Sequence, residues 1–179
     1  MKTFDHAGKK LDILQKGEIL IDGKSLIDYN PPKKREELGF QHLNAPYFEE
    51  IPDFNGGEYN TLYRNDAGDV FCANETRYLD TLICWIPDCI SEFEIVSRKY
   101  AVTIGTGRPI KVGQSINRIL RKYQNSAKAH KEDRVVRIIT EQPILFLPKS
   151  YFFPSLSIFY DTNGSITHFV FEEVYAYFP

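Results

Sequence analysis

Residues 155–178, SLSIFYDTNGSITHFVFEEVYAYF, decide the fold class of this chain of 179 residues. Two runs rich in β-branched and aromatic residues flank Asp161, Asn163 and Gly164, which are typical turn formers. This pattern predicts two antiparallel strands joined by a hairpin turn. The preceding runs RVVRIIT (134–140) and PILFLP (143–148) have the same character and predict two further strands.

Strand and turn patterns also fill the first half of the chain. Apolar and polar residues alternate in 11–14 and 19–21, and Lys16-Gly17 between them predicts a hairpin. A second hairpin is predicted in TLYRNDAGDVFCANE (61–75), with Asp66-Ala67-Gly68 at its tip. Further strands are predicted at 78–87 and 92–104.

Two segments have the pattern of short helices. NPPKKREELGF (30–40) begins with a capping residue and a proline and ends with a glycine. In IKVGQSINRILRKYQ (110–124) the apolar residues follow the 3.6-residue period of one helix face, at Ile116, Ile119, Leu120 and Tyr123. Together with the strands, these helices predict an α+β protein with an antiparallel β-sheet and two or three short helices.

The length predicts a single compact unit, 1–179. An alternative organisation is two similar half-repeats, 1–94 and 95–179, because each half contains a strand with a glycine turn, a helix and a hairpin in that order. The spacing of the turn glycines differs between the halves, so an alignment of one half with the other would need a shift between the first glycine turn and the hairpin. A common helix-then-hairpin arrangement explains the same order without duplication.

The second half resembles a module found in the β-lactamase inhibitor protein and in small lipoproteins of outer-membrane assembly. In that module a G-x-S motif enters a helix, and a later strand pair carries F/Y-D-x-x-G-x-I. The match covers about 65 residues, from the run that begins at Ile110, and its matching residues are Gly113, Ser115, Tyr160, Asp161, Gly164 and Ile166. Those proteins carry a secretion signal, and none is expected here, because no long apolar run follows the basic start of the sequence. The whole chain also resembles bacterial immunity proteins encoded beside toxins, in its small size, aromatic content and acidic segment.

Charge is unevenly distributed along a chain whose formal net charge is −2. Residues 41–94 contain 11 acidic and 2 basic side chains, whereas residues 95–179 contain 12 basic and 6 acidic ones. Two interpretations remain open. The two segments neutralise each other within the fold, or the acidic segment faces a basic partner, which would speed encounter and select the partner.

Motifs for catalysis or for cofactors are not found in the sequence. No G-x-S-x-G elbow, HExxH, paired CxxC or phosphate-binding loop occurs, and GTGRP (105–109) is interpreted as a turn. We therefore expect a non-enzymatic protein without cofactor, metal or small-molecule substrate, although an enzyme with an unrecognised site stays an alternative. No apolar run is long enough for a membrane helix. The odd count of 3 Cys without a signal peptide favours reduced thiols and a cytoplasmic location.

The segment 41–60 is predicted to be a long irregular loop that binds a partner. It combines prolines, a Gly-Gly pair, aromatic rings and carboxylates with little periodicity. The expected partner is a basic toxin domain, such as a nuclease. An acidic inhibitor would occlude the active-site cleft of this domain. The candidate partner-binding residues are Tyr47, Phe48, Glu49, Glu50, Asp53, Phe54, Glu58 and Tyr59.

Nucleic-acid binding by the basic segment is the alternative function. Residues 95–137 contain eleven basic side chains against two acidic ones. Phosphate contacts from such a segment would give a salt-dependent affinity. The residues expected to make these contacts are Arg118, Arg121 and Lys122. A solvated helix face explains the same pattern without a ligand.

Overall fold

Thirteen strands and two short helices form the regular structure of the described residues. The computed structural model describes residues 2–6, 8–14, 19–24, 41–42, 47–50, 56–78, 89–140, 144–147 and 150–177. The strands are β1 (Thr3–His6), β2 (Lys9–Leu14), β3 (Ile19–Ile21), β4 (Gln41–His42), β5 (Tyr47–Glu50), β6 (Gly56–Arg64), β7 (Val70–Tyr78), β8 (Cys89–Ile95), β9 (Val102–Ile104), β10 (Val135–Thr140), β11 (Ile144–Leu147), β12 (Ser150–Tyr160) and β13 (Ile166–Tyr177). The helices are α1 (Asn117–Lys122) and α2 (Gln124–Ala129).

Eleven of these strands form one sheet in the order β1-β2-β10-β12-β13-β8-β7-β6-β4, with β11 beside β12 and β5 beside β6. The strands β3 and β9 form a separate antiparallel pair. Within the large sheet β2 and β10 run parallel, and the other described pairs are antiparallel. The predicted α+β class is confirmed, and the single parallel pair makes the sheet mixed.

The local hairpins are predicted correctly where turn residues separate the two strands. Strands β6 and β7 pair around the 66–68 turn, and β12 and β13 pair around the 161–164 turn. The hairpin predicted for residues 11–21 is wrong, because β2 pairs with β1 and β10 while β3 pairs with β9. Alternation in the sequence identified these two strands but not their partners.

A row of apolar residues crosses the centre of the sheet and forms the core. Leu156 lies between Ile138 and Phe171, and Phe171 lies beside Phe93 on β8. All four side chains are buried. The β3–β9 pair and the apolar stripe of α1 belong to the same buried cluster, which includes Ile21, Val102, Ile116 and Ile119. Burial of this face of the sheet therefore holds the small β3–β9 pair and the helices in place.

The helix predicted within 110–124 is confirmed only over Asn117–Lys122, as α1, and a second helix, α2, begins after Tyr123, where φ is −114° and ψ is 64°. The buried Asp12 of β2 accepts hydrogen bonds from the backbone N–H groups of Asn125 and Ser126, at 3.0 and 3.1 Å. Because this carboxylate satisfies donors in the first turn of α2, it favours a fresh helix start after Tyr123.

Two predicted elements fall wholly or mainly on residues that are not described. The helix predicted at 30–40 lies outside the described residues, as does the strand predicted at 78–87 except for Tyr78, which ends β7. The boundary between the two predicted half-repeats falls within β8. The half-repeat organisation stays a prediction.

Candidate functional site

Six of the eight predicted partner-binding residues lie on two paired strands. Tyr47, Phe48, Glu49 and Glu50 form β5, while Glu58 and Tyr59 belong to β6. Asp53 and Phe54 lie outside the described residues. The prediction of an irregular loop over 41–60 is wrong for the described part, because 41–42, 47–50 and 56–60 are strand. Backbone pairing with β6 overrides the weak periodicity of the sequence.

The register of β5 and β6 aligns like residues at two of its four pairs. Phe48 is the direct partner of Tyr59, and Glu49 is the direct partner of Glu58. Beside them on β7, Tyr59 faces Glu75 in the register. We call residues 47–50 together with 58–59 the acidic edge. Because successive strand positions alternate between the two faces of a sheet, the Phe48–Tyr59 and Glu49–Glu58 pairs belong to opposite faces and have the edge of the sheet in common.

The acidic edge lies at one end of the sheet. β4 and β5 both pair with β6, and they end the strand order of the described residues. A terminal strand has a row of backbone N–H and C=O groups on its outer side. An extended segment of a partner protein can pair with such a row, while side chains provide the specificity.

One acid of the 41–94 segment has an internal role. Asp69 is fully buried, and its carboxylate accepts hydrogen bonds from the backbone N–H groups of Val96 and Ser97 and from the Ser97 hydroxyl, at 2.9, 2.8 and 2.7 Å. The Asn65 amide donates a further bond at 3.0 Å. This carboxylate therefore ties the β6–β7 turn to the segment after β8, and it is not available to a partner. Asp66, in the same turn, is exposed.

The residues predicted for nucleic-acid binding lie on α1, and all three are exposed. The Arg118 guanidinium donates a hydrogen bond to the Arg108 carbonyl oxygen at 3.3 Å, and Arg121 donates to the Asn117 carbonyl oxygen at 3.3 Å. The Lys122 ammonium lies 5.2 Å from the centre of the Tyr123 ring. The structure brings Arg118 and Lys122 to one cleft, which Arg121 does not line.

This cleft, which we call the basic cleft, lies between α1 and the turn after β9. Its lining includes three cationic side chains, those of Arg108, Arg118 and Lys122, and the buried Tyr123. The turn contains Gly107, where a Cβ atom would lie 3.0 Å from the Ile104 carbonyl oxygen and 3.4 Å from Arg118 Nη2. A glycine at this position therefore leaves room for the guanidinium.

Tyr123 carries a polar group that sequence analysis missed. Its ring belongs to the apolar stripe of the predicted helix and is buried as expected, with 1% of the residue exposed. Its hydroxyl, however, has no hydrogen-bond partner among the described residues. Burial and the nearby Asp12 carboxylate raise the pKa of Tyr123 to about 12, so the hydroxyl stays protonated at neutral pH. The only sequence feature that points to this buried hydroxyl is the presence of a tyrosine within an apolar stripe.

The residues that carry the resemblance of the second half meet at one corner. The Gly113 N–H donates to the Ile166 carbonyl oxygen at 2.7 Å, and the Ile116 N–H donates to that of Gly164 at 2.9 Å. The Asp161 carboxylate accepts the Asn163 and Ser165 N–H groups, both at 2.9 Å. This corner fixes the entrance of α1 against the β12–β13 turn. The contacts are internal to the fold.

Metal ligands do not gather among the described residues in groups of three or more His, Cys, Asp or Glu. Neither described helix has the length and apolar character that crossing a membrane requires. Comparison of the chain with protein-family models, curated proteins and solved structures yields no match.

Proposed function

We propose that this chain is a non-enzymatic protein-binding inhibitor, a bacterial immunity protein that occludes the active site of a cognate toxin. The partner is a basic toxin domain, such as a nuclease. The inhibitor works in the cytoplasm and needs neither cofactor nor small-molecule substrate. Its resemblance in type to immunity proteins and the charge of residues 41–94 are the starting points of this proposal.

The register of the acidic edge is the observation that carries the proposal. Glu49 pairs with Glu58 and Phe48 pairs with Tyr59 at the terminal strands of the sheet. Aromatic anchors provide much of the binding energy in protein interfaces. Carboxylates on the same edge of the sheet complement the basic cleft of an enzyme that binds polyanions, and an acidic inhibitor thereby imitates the charge of the substrate.

The proposed mechanism is occlusion. The acidic edge docks over the active site of the toxin, with Phe48 and Tyr59 as anchors and with carboxylates paired to basic side chains of the toxin. Electrostatic attraction raises the association rate and is weakened by salt. We therefore expect a 1:1 complex whose affinity falls as the ionic strength rises.

The test uses the purified protein encoded by the gene immediately upstream as the probe. Calorimetry measures its affinity for the wild-type chain and for the double variant Glu49→Lys/Glu58→Lys, in which we expect at least about a hundredfold loss, since close charge pairs at interfaces contribute several kcal/mol. Glu132→Lys/Asp133→Lys is the matched control, because it makes the same change of charge at exposed positions elsewhere. Equal affinity of the two double variants, or no binding to the upstream protein, contradicts the proposal.

Nucleic-acid binding is the second candidate function. It is supported by the exposed cations Arg118, Arg121 and Lys122, for which no acidic partner occurs among the described residues. This function predicts retention on RNA or heparin, with elution by salt. The double reversal Arg118→Glu/Arg121→Glu should abolish that retention, whereas Glu49→Lys/Glu58→Lys should not.

A further inference from the structure

Three cationic residues line the basic cleft. Arg108 comes from the turn after β9, and Arg118 and Lys122 lie one helical turn apart on α1. No Asp or Glu lines the cleft, and no ion pair to these three cations occurs within the part of the chain that the structure describes. Like charges held close together repel one another, so an anion at this point would lower the electrostatic energy of the fold.

The Tyr123 hydroxyl is the second observation. Tyr123 lines the same cleft, and its hydroxyl is buried and without a partner among the described residues. A buried polar group without a hydrogen bond is costly, and each such group in a folded protein calls for an explanation. Because burial raises the pKa of Tyr123, the hydroxyl remains a donor at neutral pH. An acceptor oxygen from a ligand would satisfy it.

The size of the cleft limits what enters it. Its volume is about 10 Å³, roughly that of one water-sized oxygen. A nucleoside ring is far larger than this space. A tetrahedral anion, however, can direct one oxygen inward and leave its other oxygens outside, against the exposed guanidinium and ammonium groups. Arginine binds phosphate oxygens by short, charge-assisted hydrogen bonds.

We propose that the basic cleft binds the terminal phosphate group of a phosphate monoester. Three cationic residues in the lining of one cleft match a phosphate monoester, whose charge at pH 7 is between about −1.5 and −2, better than a diester, which has a single negative charge. One phosphate oxygen accepts the Tyr123 hydroxyl proton in a hydrogen bond, and Arg108, Arg118 and Lys122 hold the others. This site is separate from the acidic edge and does not depend on the inhibitor function.

The test is an NMR titration of the full chain at constant ionic strength. The probes are inorganic phosphate, phosphoserine, glycerol 3-phosphate and, as a diester, dimethyl phosphate. We expect saturable shifts of the Gly107, Arg108 and Tyr123 amide signals with the monoesters and with inorganic phosphate. Dimethyl phosphate should bind at least about tenfold more weakly, because one charge and several acceptor contacts are lost. A preference for phosphoserine would indicate a phosphorylated protein as the source, and a preference for glycerol 3-phosphate a small molecule.

Matched variants identify the residues that bind. Arg108→Ala and Arg118→Ala should each weaken phosphate binding by about tenfold, whereas Arg121→Ala, on the same helix but outside the cleft, should leave it unchanged. Tyr123→Phe should also weaken binding by about tenfold, and it removes only the hydroxyl. Circular dichroism confirms that each variant is folded. Equal binding by Arg118→Ala and Arg121→Ala, or tighter binding of dimethyl phosphate than of the monoesters, overturns the proposal.

Discussion

The Asp69 carboxylate holds Ser97 by two hydrogen bonds at once, from the backbone N–H at 2.8 Å and from the hydroxyl at 2.7 Å. One side chain in the β6–β7 turn thus fixes the direction of the chain after β8. Because the carboxylate is fully buried, each of these donors depends on it.

Removal of this carboxylate should destabilise the protein. We expect Asp69→Ala to lower the free energy of unfolding by about 3 kcal/mol, because buried and half-buried N–H groups lose their acceptor. Asp66→Ala, in the same turn but exposed, is the control and should change the free energy by less than about 0.5 kcal/mol. Urea denaturation measures both values. Similar losses in the two variants would show that the turn itself, and not the Asp69 hydrogen bonds, is responsible.

Gly113 combines a positive φ of 84° with a close neighbour. A Cβ atom there would overlap Arg98 Nη2, whereas at Gly8, with φ of 75°, no atom of the described residues beyond its chain neighbours comes within 4 Å of such a Cβ. Gly8→Ala should therefore lower the free energy of unfolding by about 1 kcal/mol through backbone strain alone. Gly113→Ala should lower it further, because the guanidinium must move.

The double variant Gly113→Ala/Arg98→Ala separates these two contributions. With the guanidinium removed, the effect of the alanine at 113 should fall to that of Gly8→Ala, and a double-mutant cycle in urea measures the difference. If the cycle shows no coupling, Arg98 moves aside freely and only the backbone conformation matters.

The Tyr123 hydroxyl should make stability dependent on alkaline pH. Burial, followed by the Asp12 charge, raises the pKa of Tyr123 to about 12, against 10.0 for an ordinary tyrosine. Between these values the unfolded chain loses the proton and the folded chain keeps it, so stability that is complete below pH 10 is lost as the pH rises through 12. The difference amounts to about 2 to 3 kcal/mol.

Tyr123→Phe is the variant that tests this dependence. It should be at least as stable as the wild type at pH 7, because the buried hydroxyl has no partner to lose and is itself costly, and it should lose less stability above pH 10. Chemical denaturation at several pH values measures both. Parallel pH profiles of the two proteins would show that the Tyr123 hydroxyl does not cause the loss of stability at alkaline pH.

His168 should make the stability of the protein fall at acidic pH. Its ring is stacked on Phe159, with ring centres 4.0 Å apart and planes at 11°. Burial lowers the pKa of His168 below 6.5, and nearby Glu94 offsets this only in part. The unfolded chain therefore takes up the proton first, so stability that is complete above pH 6.5 is lost as the pH falls through the folded-state pKa.

His168→Gln should remove this part of the acid dependence. We expect its unfolding free energy to decline less between pH 7 and pH 5 than that of the wild type, after both are normalised at pH 7. Thermal or urea denaturation gives the two profiles. A steeper decline in the variant would mean that the histidine gains a favourable contact on protonation.

The sequence predicted the local elements well and the distant pairings poorly. The turns at 66–68 and 161–164 are correct because the residues that form them are adjacent in the chain. The 11–21 hairpin is wrong because the alternation that identifies a strand says nothing about its partner. The short strand β5 was interpreted as loop, since four residues among prolines and glycines give too little periodicity.

The two candidate sites also differ in how much of each could be predicted from the sequence. The acidic edge was found from composition, although its register with β6 was not. The basic cleft was missed as a unit, because Arg108 and Arg118 meet only after the chain folds back. The sequence also indicated that Tyr123 is buried, but no pattern reveals whether a buried hydroxyl finds a partner.

The parallel pairing of β2 with β10 has a consequence for synthesis of the protein. Ile13 lies beside Ile139, so the second strand of the chain waits for more than a hundred further residues before its neighbour exists. A nascent chain on the ribosome cannot pair the inner side of β2 until β10 has emerged from the exit tunnel. Such distant pairing slows folding and leaves early strands open to wrong contacts until the chain is nearly finished.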